Sequence, residues 1–370
     1  MSRLSIAVIT RNEETNLRAC LESAAWADEI VVVDAESSDA TAAIAREFTE
    51  RVYIRAWPGF AAQKAFALEQ CTSPWIFSLD ADERIRPELA VEIRRVIADP
   101  AALPGYRVGR RSWFLGRWIR HGGWYPGYQL RLFRRDAVAV IDRRVHEGFT
   151  VAGESGTLQG DLDHYSHPSI VSSLDKMGRY STLEALDRLE RQHVRALDFF
   201  THPLAAFLRK YIAQGGFRDG RHGLVLAWVT ALVKLALYMK IRHLQRLRAA
   251  KEDGAAALPA DDPLEALFTA QQRQLELFNP TAAAGPGTGQ PRAPSAGSPA
   301  DLPARTPLGQ PPGVRAFVVR PLSAFFRTYR DRSSVSEGVP VLTQALLAAA
   351  YATAREIKIW EAGVNAKGSS

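Results

Sequence analysis

The sequence predicts an α/β fold with a doubly wound, mostly parallel sheet, followed by a helical extension. Short apolar runs alternate with segments of helical periodicity over residues 4–80, which is typical of parallel strands covered by helices on both faces. Three of these runs end in polar clusters, as expected where such a sheet binds its ligand. Basic and apolar residues that follow residue 170 predict the helical extension.

Apolar runs predict four strands, and the segments between them predict helices. The order is strand Leu4–Thr10, helix Asn16–Ala25, strand Glu29–Asp34, helix Ala42–Thr49, strand Val52–Ile54, helix Ala61–Cys71 and strand Trp75–Leu79. Unbroken apolar runs predict burial on both faces of a parallel sheet, and Ser37, Ser38 and Asp39 offer N-caps for the second helix. The chain has no Gly-x-Gly-x-x-Gly and no P-loop motif, which argues against a dinucleotide dehydrogenase or a P-loop enzyme.

The fourth strand leads directly into a cluster of carboxylates, Asp80, Asp82 and Glu83. Strand alternation places Asp80 and Asp82 on the same side, and two carboxylates held that close repel each other unless a cation lies between them. Hard oxygen ligands favour Mg²⁺ or Mn²⁺. The alternative is an acidic turn that begins a helix near Pro87.

Composition restricts the class of protein. Of the 370 residues, 46% are hydrophobic and 24% are charged, as in ordinary globular chains. Cys20 and Cys71 have no metal-ligand spacing, so we expect them to be buried in a reducing compartment. No signal peptide is evident before the first strand, which predicts a cytoplasmic protein. No nucleic-acid-binding motif is present, so nucleic acid is not an expected partner.

Residues Tyr106–Phe149 are dense in aromatic, arginine and glycine residues. Aromatic faces beside hydrogen-bonding groups suit sugar rings, and arginine suits a diphosphate. A packed antiparallel subdomain would have the same composition. His146, Glu147 and His164 then bring titratable groups that could complete a site.

Together these motifs resemble one enzyme family. Residues 1 to about 247 are similar to the family 2 glycosyltransferases, in particular to the bacterial subgroup of lipopolysaccharide core β-glucosyltransferases. The motifs that carry the resemblance are Thr10-Arg11-Asn12-Glu13-Glu14, Asp34 with Ser37-Ser38-Asp39-Ala40-Thr41, Leu79-Asp80-Ala81-Asp82-Glu83, His121-Gly122-Gly123-Trp124-Tyr125-Pro126, Leu130-Arg131-Leu132-Phe133, Val145-His146-Glu147 and His164-Tyr165-Ser166. The resemblance implies the GT-A-type, nucleotide-diphospho-sugar transferase fold.

The resemblance also guides the assignment of candidate site residues. The predicted nucleotide-sugar ligands are Thr10, Arg11, Asn12, Glu13, Asp34, Lys64, Asp80 and Arg131. Asp82, with Asp80 and His164, is predicted to hold Mg²⁺ or Mn²⁺. Trp124, Tyr125 and His146 are predicted to contact the sugar or acceptor, and Glu147 is the predicted general base.

One motif departs from the family pattern. Many relatives have Asp-Asp-Gly-Ser in the second loop, where this chain has Asp34-Ala35-Glu36-Ser37. The carboxylate assigned to the base ring is therefore missing or displaced.

These features predict a metal-dependent, inverting glycosyltransferase. By resemblance it would move a hexose, glucose from UDP-glucose, to a lipopolysaccharide core or a similar lipid-linked glycan. One alternative is a transferase that acts on polyprenyl phosphate or another surface polysaccharide. The other is a non-catalytic nucleotide-sugar-binding membrane scaffold.

The region after residue 170 is basic, with fifteen lysine and arginine residues against five acidic ones in residues 176–251. Leu174–Leu197 is predicted to be an amphipathic helix. The apolar run Leu224–Met239 has sixteen residues, short of the roughly 20 that span a bilayer. We expect it to lie on the inner face of the inner membrane or to pack on the catalytic domain.

The sequence predicts four regions. They are a catalytic domain (1–170), a basic helical membrane-docking region (171–250), a disordered linker rich in proline and glycine (251–315) and a helical C-terminal segment (316–370). Residues 320–361 match residues 202–243 at thirteen of 42 positions without gaps. The C-terminal segment is therefore either a second copy of the membrane-docking hairpin or a duplication without a role.

Overall fold

The computed structural model describes residues 2–141, 148–167, 181–195, 197–252 and 323. The chain divides into two units, Met1–Pro280 and Thr281–Ser370, and Ser323 is the one described residue of the second. The first two residues of the predicted linker (251–315) belong to the last described helix, and the rest of it lies outside the described residues. The predicted C-terminal segment (316–370) lies outside them as well, Ser323 apart. Both stay predictions, as does the start of the helix predicted at Leu174.

The described part of the first unit begins with alternating strands and helices, and its last elements are helices. Its elements are β1 (Leu4–Thr10), α1 (Leu17–Ala24), β2 (Glu29–Asp34), α2 (Thr41–Arg46), β3 (Val52–Ile54), α3 (Phe60–Gln70), β4 (Trp75–Asp80), β5 (Glu83–Ile85), α4 (Pro87–Ala98), β6 (Gly105–Phe114), β7 (Arg117–Trp118), β8 (Gln129–Arg134), β9 (Val138–Ile141), β10 (Gly148–Val151), β11 (Ser155–His167), α5 (residues 181–188), α6 (Asp198–Leu208), a π-helical turn (Arg209–Ala213), a 3-10 turn (Gly216–Asp219) and α7 (Gly220–Glu252).

Within the described residues, nine strands form one sheet. Its order is β3-β2-β1-β4-β8-β6-β11-β5, and β7 pairs with β6. The first four strands in this order are parallel, whereas β8 runs antiparallel to both of its neighbours. β9 and β10 form a separate antiparallel pair. The predicted mostly parallel sheet is confirmed. The aromatic segment supplies antiparallel strands, as the alternative interpretation of that segment expected.

Alternate residues of the central strands fill two cores. Ile6, Val8 and Phe77 pack on one face of the sheet, in the cluster to which α1, α2 and α4 contribute. Ala7 and Ile76 point to the other face, in the cluster to which α3 contributes. Because helices cover both faces, the central strands are apolar on both sides, which is why their sequences read as unbroken apolar runs.

The helix predicted at Leu174–Leu197 ends earlier than expected. Residues 181–188 are helical, and the chain leaves the helix at residue 189. Side chains of α7 bind the backbone beyond that point. Gln245 Nε2 donates to the carbonyl of Gln192 (2.6 Å), and Arg242 Nη1 donates to that of Val194 (3.3 Å).

The long helix α7 is also longer than the predicted run Leu224–Met239. It has 33 residues, and the segment Gly216–Arg246 is long and apolar enough to cross a membrane, judged by length and composition alone. Of the apolar window in that segment, 67% is buried inside the protein. A core helix of a soluble protein has the same properties, so length does not decide the role of α7.

Candidate active site

The carboxyl ends of three neighbouring strands bring the first polar clusters together. In the parallel register, Thr10 at the end of β1 lies beside Asp34 at the end of β2. On the other side of β1, Ile9 lies beside Asp80 at the end of β4. This edge is where parallel sheets bind ligands. The hydroxyl of Thr10 is buried and has no hydrogen-bond partner within the protein, which leaves it available to a ligand.

Hydrogen bonds join the loop after β1 to the loop after β2. The N–H of Asn12 donates to Ser37 Oγ, and Asn12 Oδ1 accepts from the N–H of Ser38, both at 2.8 Å. The N–H of Glu13 donates to Thr41 Oγ1 at 2.8 Å. Asn12 has a φ of 52°, a left-handed conformation that costs energy outside glycine. The hydrogen bonds between the paired loops hold that conformation, so the predicted ligand segment is positioned by the protein itself.

Asp34 is turned into this loop network. Its two carboxylate oxygens accept hydrogen bonds from the N–H (2.9 Å) and the hydroxyl (2.5 Å) of Ser37, and its side chain is buried. Asp34 therefore shapes the second loop in this structure. Arg11, which follows Thr10, is half-buried beside it.

A buried ion bridge organises the predicted metal motif. Arg131 on β8 is 4% exposed, and its Nη2 lies 2.5 Å from both Asp80 Oδ2 and Glu83 Oε1. Glu83 is fully buried, and its other oxygen accepts from the N–H of Asp80 at 3.1 Å. One guanidinium thus fixes both ends of the Asp80–Glu83 turn. Arg131 was predicted to contact the nucleotide sugar, and its contacts here are with these carboxylates.

The charge on Asp80 is stabilised by two cations. Burial alone would raise the pKa of Asp80, but the charges of Arg131 and Lys64 outweigh it and hold the pKa well below its usual range. The Lys64 ammonium lies 3.6 Å from Asp80 Oδ1. Asp80 is therefore ionised at neutral pH, and its charge is balanced within the protein.

Asp82 lies beside His164 rather than beside these cations. His164 is on β11, whose antiparallel register with β5 places it opposite Glu83. Its Nε2 is 3.5 Å from Asp82 Oδ2, and its Nδ1 is 3.3 Å from Ser112 Oγ. In the described part of the chain, no three His, Cys, Asp or Glu residues are grouped as a metal site. Asp82 and His164 instead form a pair of adjacent ligand-type side chains.

Glu147 and His146 lie outside the described residues, so their predicted roles stay predictions. The described chain resumes at Gly148 on β10. Phe149, the next residue, presents its ring to Lys64, with 5.5 Å from Nζ to the ring centroid, a cation–π distance. Because Lys64 also contacts Asp80, the start of β10 lies near the Asp80 carboxylate.

An aromatic and arginine layer adjoins Asp82. Tyr165 stacks on Trp113 with ring centroids 5.6 Å apart, and the guanidinium of Arg84 lies 4.0 Å from the Tyr165 ring. The N–H of Tyr165 donates to the carbonyl of Asp82 at 2.8 Å. The layer is therefore tied to the metal motif through the backbone.

The predicted sugar-binding aromatics lie in this layer's neighbourhood and are half-buried. Tyr125 packs edge-on against Trp118 (5.3 Å), and its hydroxyl donates to Asp161 Oδ2 at 3.0 Å. The pKa of Asp161 is raised by burial, and the hydrogen bond from Tyr125 offsets only part of this increase. Trp124 packs edge-on against Phe114 at 6.1 Å.

Sequence reasoning missed three residues of this site. Glu83 looked like one more acid of the turn, and Asp161 and Asp163 on β11 were assigned no role. Asp163 accepts from Trp113 Nε1 at 3.0 Å and pairs with Arg86 and Arg111. The alternation of Asp161, Asp163 and Tyr165 along a strand was the available signal, because it places all three on one face.

Comparison with known proteins agrees with this architecture. The profile of "Glycosyl transferase family 2" matches residues 5–147. A lipopolysaccharide core biosynthesis glycosyltransferase, LpsC of Rhizobium meliloti (strain 1021), is 34% identical over 254 residues, which cover 66% of this chain and 94% of that protein. The chain belongs to glycosyl transferase family 2.

Other matches show similar coverage. An uncharacterized glycosyltransferase of Rickettsia felis is 38% identical over 259 residues, 66% of this chain and 90% of that protein. Among solved structures, S. aureus TarS 1-349 in complex with UDP-GlcNAc is 13% identical, with a TM-score of 0.33 over 69% of this chain and 93% of that chain. Family membership and the observed strand order together confirm the predicted GT-A-type fold, and the low TM-score adds nothing to that conclusion.

Proposed function

We propose that this family 2 glycosyltransferase is a metal-dependent, inverting hexosyltransferase that uses a UDP-sugar, by family resemblance UDP-glucose. Its proposed acceptor is a lipid-linked glycan of the lipopolysaccharide core type, at the cytoplasmic face of the inner membrane. The observation that carries the proposal is the edge formed by Thr10, Asp34 and Asp80, with the Asp82–His164 pair beside it.

The donor site is supported by a rigid, partly unsatisfied edge of the sheet. The unpartnered Thr10 hydroxyl is a hydrogen-bonding group that a uridine would satisfy. The N–H groups and side chains of Asn12 and Glu13 would form the wall of that site. Lys64, beside Asp80, would meet the negative charge of the diphosphate.

The residues present fit a hard divalent cation. Asp82 and His164 are adjacent and offer one oxygen and one nitrogen ligand, and Mg²⁺ and Mn²⁺ commonly take their remaining ligands from phosphate oxygens and water. A bound Mg²⁺ or Mn²⁺ would stabilise the charge that gathers on the departing diphosphate. Asp80, held by Arg131 and Lys64, would orient the motif.

The transfer step needs a general base. The acceptor hydroxyl oxygen attacks the anomeric carbon while its proton passes to the carboxylate of Glu147. The bond from that carbon to the diphosphate oxygen breaks, and its electron pair leaves with the diphosphate. Attack from the face opposite the leaving group inverts the anomeric carbon. The base role of Glu147 rests on the family resemblance.

The acceptor class is supported by the relative and by the aromatic layer. LpsC of Rhizobium meliloti is named for lipopolysaccharide core biosynthesis. Trp124, Tyr125 and His146 are the proposed contacts to the sugar or acceptor, because aromatic faces stack on sugar rings.

One observation favours a second candidate acceptor. The segment Gly216–Arg246 has the length and composition of a membrane span, and an enzyme that transfers sugar to polyprenyl phosphate would gain from such a span. The burial of 67% of its apolar window favours a docked helix.

The proposal is tested by incubating the purified protein with UDP-glucose, UDP-galactose, UDP-N-acetylglucosamine and GDP-mannose, with Mn²⁺ or with chelator. Metal-dependent release of UDP from one donor is the expected result. If no donor is hydrolysed or bound in a metal-dependent manner, the protein is a scaffold and the metal assignment is wrong.

A further inference from the structure

Six large apolar side chains are exposed along α6 and the two turns that follow it. We call this set the α6 stripe: Leu197, Phe200, Leu204, Leu208, Ile212 and Phe217. Spacing of three or four residues places the first four on one helix face. Single exposed apolar residues are ordinary, but six of the eleven found among the described residues lie in this one segment. The four that share one helix face form a patch of the kind that marks an interaction surface.

The opposite face of α6 is already covered by α7. Phe199 is buried, and Phe207 packs on Trp228 with ring centroids 5.3 Å apart. His202 stacks on Tyr238 at 4.3 Å. The buried window of α7 is therefore used for packing inside the protein, and the α6 stripe is the face that remains outward.

Exposed arginines precede, interrupt and follow the α6 stripe along the chain. Arg195, Arg209, Arg218 and Arg221 are exposed. The two acidic residues of the segment are both engaged: Asp198 Oδ2 accepts from the N–H of Arg195 at 2.7 Å, and Asp219 is buried. Exposed apolar side chains with an arginine rim match an anionic lipid surface, where apolar groups enter the headgroup boundary and cations meet phosphate.

The same turns hold the segment that leads to the proposed sugar-binding aromatics. Lys210 Nζ donates to the carbonyl of Gly122 at 2.7 Å, and the N–H of Gly122 donates to the carbonyl of Gln214 at 2.9 Å. Asp219 accepts from the N–H of His121 at 2.8 Å and contacts its ring nitrogen Nδ1 at 3.1 Å. These hydrogen bonds connect the turns after α6 to the loop that contains Trp124. A membrane bound at the α6 stripe would therefore have a defined position relative to that loop.

We propose that the α6 stripe is the face by which the enzyme lies on an anionic lipid bilayer. This inference rests on the proposed transfer to a lipid-linked acceptor and names the surface that brings enzyme and acceptor together. Membrane contact is thereby assigned to α6, whereas Leu224–Met239 serves as the packed support. The basic rim selects anionic over zwitterionic lipid.

The test is flotation of the full-length protein with vesicles of phosphatidylcholine, with or without phosphatidylglycerol. The variant is Leu204→Glu combined with Leu208→Glu, which changes two exposed positions (58% and 42%). The control is Val91→Glu on α4, an apolar position that is 72% exposed and far along the chain from the stripe. Wild type and control are expected to float with anionic vesicles. The fraction of the double variant that floats is expected to be about tenfold lower.

Two results would overturn the proposal. If the double variant floats like wild type and only detergent releases it, α7 spans the bilayer instead. If wild type binds neither vesicle but forms a dimer that the double variant dissociates, a second copy covers the stripe. UDP-sugar hydrolysis without vesicles is measured in parallel on all three proteins. If wild type hydrolyses no UDP-sugar, the donor proposal is refuted. The flotation result then still decides whether the α6 stripe binds the membrane.

Discussion

Replacement of Arg131 by methionine tests the buried bridge under the metal motif. Arg131 is 4% exposed and lies 2.5 Å from two carboxylates, one of them on the fully buried Glu83. Removal of one partner from a buried bridge leaves an uncompensated charge and costs about 3–5 kcal/mol. Two cations remain after the substitution: Lys64 lies 3.6 Å from Asp80 and Arg110 lies 3.8 Å from Glu83. We therefore expect a loss of about 3 kcal/mol, at the lower end of that range.

The assay is urea unfolding followed by tryptophan fluorescence. The matched control is Arg134→Met on the same strand, where the exposed pair with Asp136 is worth at most about 1 kcal/mol. Adding Glu83→Gln to Arg131→Met removes the stranded charge and should restore about 1 kcal/mol or more. A loss below about 1 kcal/mol for Arg131→Met would refute the bridge as a source of stability.

The same variant carries a pH signature. The folded-state pKa of Asp80 is depressed, so its contribution to stability is present above the unfolded-state value of about 3.9 and is lost as pH falls through the lower folded value. The difference in unfolding free energy between wild type and Arg131→Met should therefore narrow as pH falls below about 4. A difference that stays constant down to the acid transition would contradict this account of the Asp80 charge.

Four further predictions follow from the site and its supports. Glu147→Gln should lower sugar transfer by about 10²–10⁴-fold while donor binding is retained; full transfer would remove Glu147 from the base role. Asp82→Asn should lower metal-dependent UDP release by about 10²-fold or more, and unchanged release and Mn²⁺ response would exclude it as a ligand. Burial lowers the pKa of Lys240 from 10.5 to about 8; the unfolded chain therefore binds more protons between these values, and stability should rise with pH there in wild type but not in Lys240→Met. Deletion of residues 280–370 should weaken membrane association, and unchanged association would refute the predicted second copy.

The sheet and its binding edge were predictable because their signals are local. The apolar runs at Leu4–Thr10, Glu29–Asp34 and Trp75–Leu79 need burial on both faces, and only a parallel sheet under helices provides it. Parallel strands then carry their polar ends to one edge, which places Thr10, Asp34 and Asp80 at that edge. The strand order β2-β1-β4, which makes them neighbours, is seen only in the structure.

The bridge under the metal motif was not predictable, because its partners are distant in sequence. Glu83 looks like a solvated acid until Arg131, 48 residues later, is placed beside it. Likewise, the apolar run of α7 does not reveal that α6 will cover it. The helical spacing of Leu197, Phe200, Leu204 and Leu208 can be read from the sequence. Which helix face remains exposed depends on the packing of Phe199 and Phe207.

Metal-dependent UDP release is the measurement that tests the central claim most directly. Purified wild type is compared with Asp82→Asn and with Val91→Glu, using UDP-glucose and a chelator control. The account predicts slow release by wild type and by Val91→Glu that requires Mn²⁺ or Mg²⁺, with release strongly reduced in Asp82→Asn. Equal release by all three proteins, or release that persists in chelator, would contradict a metal-dependent donor site at the carboxyl edge of the sheet.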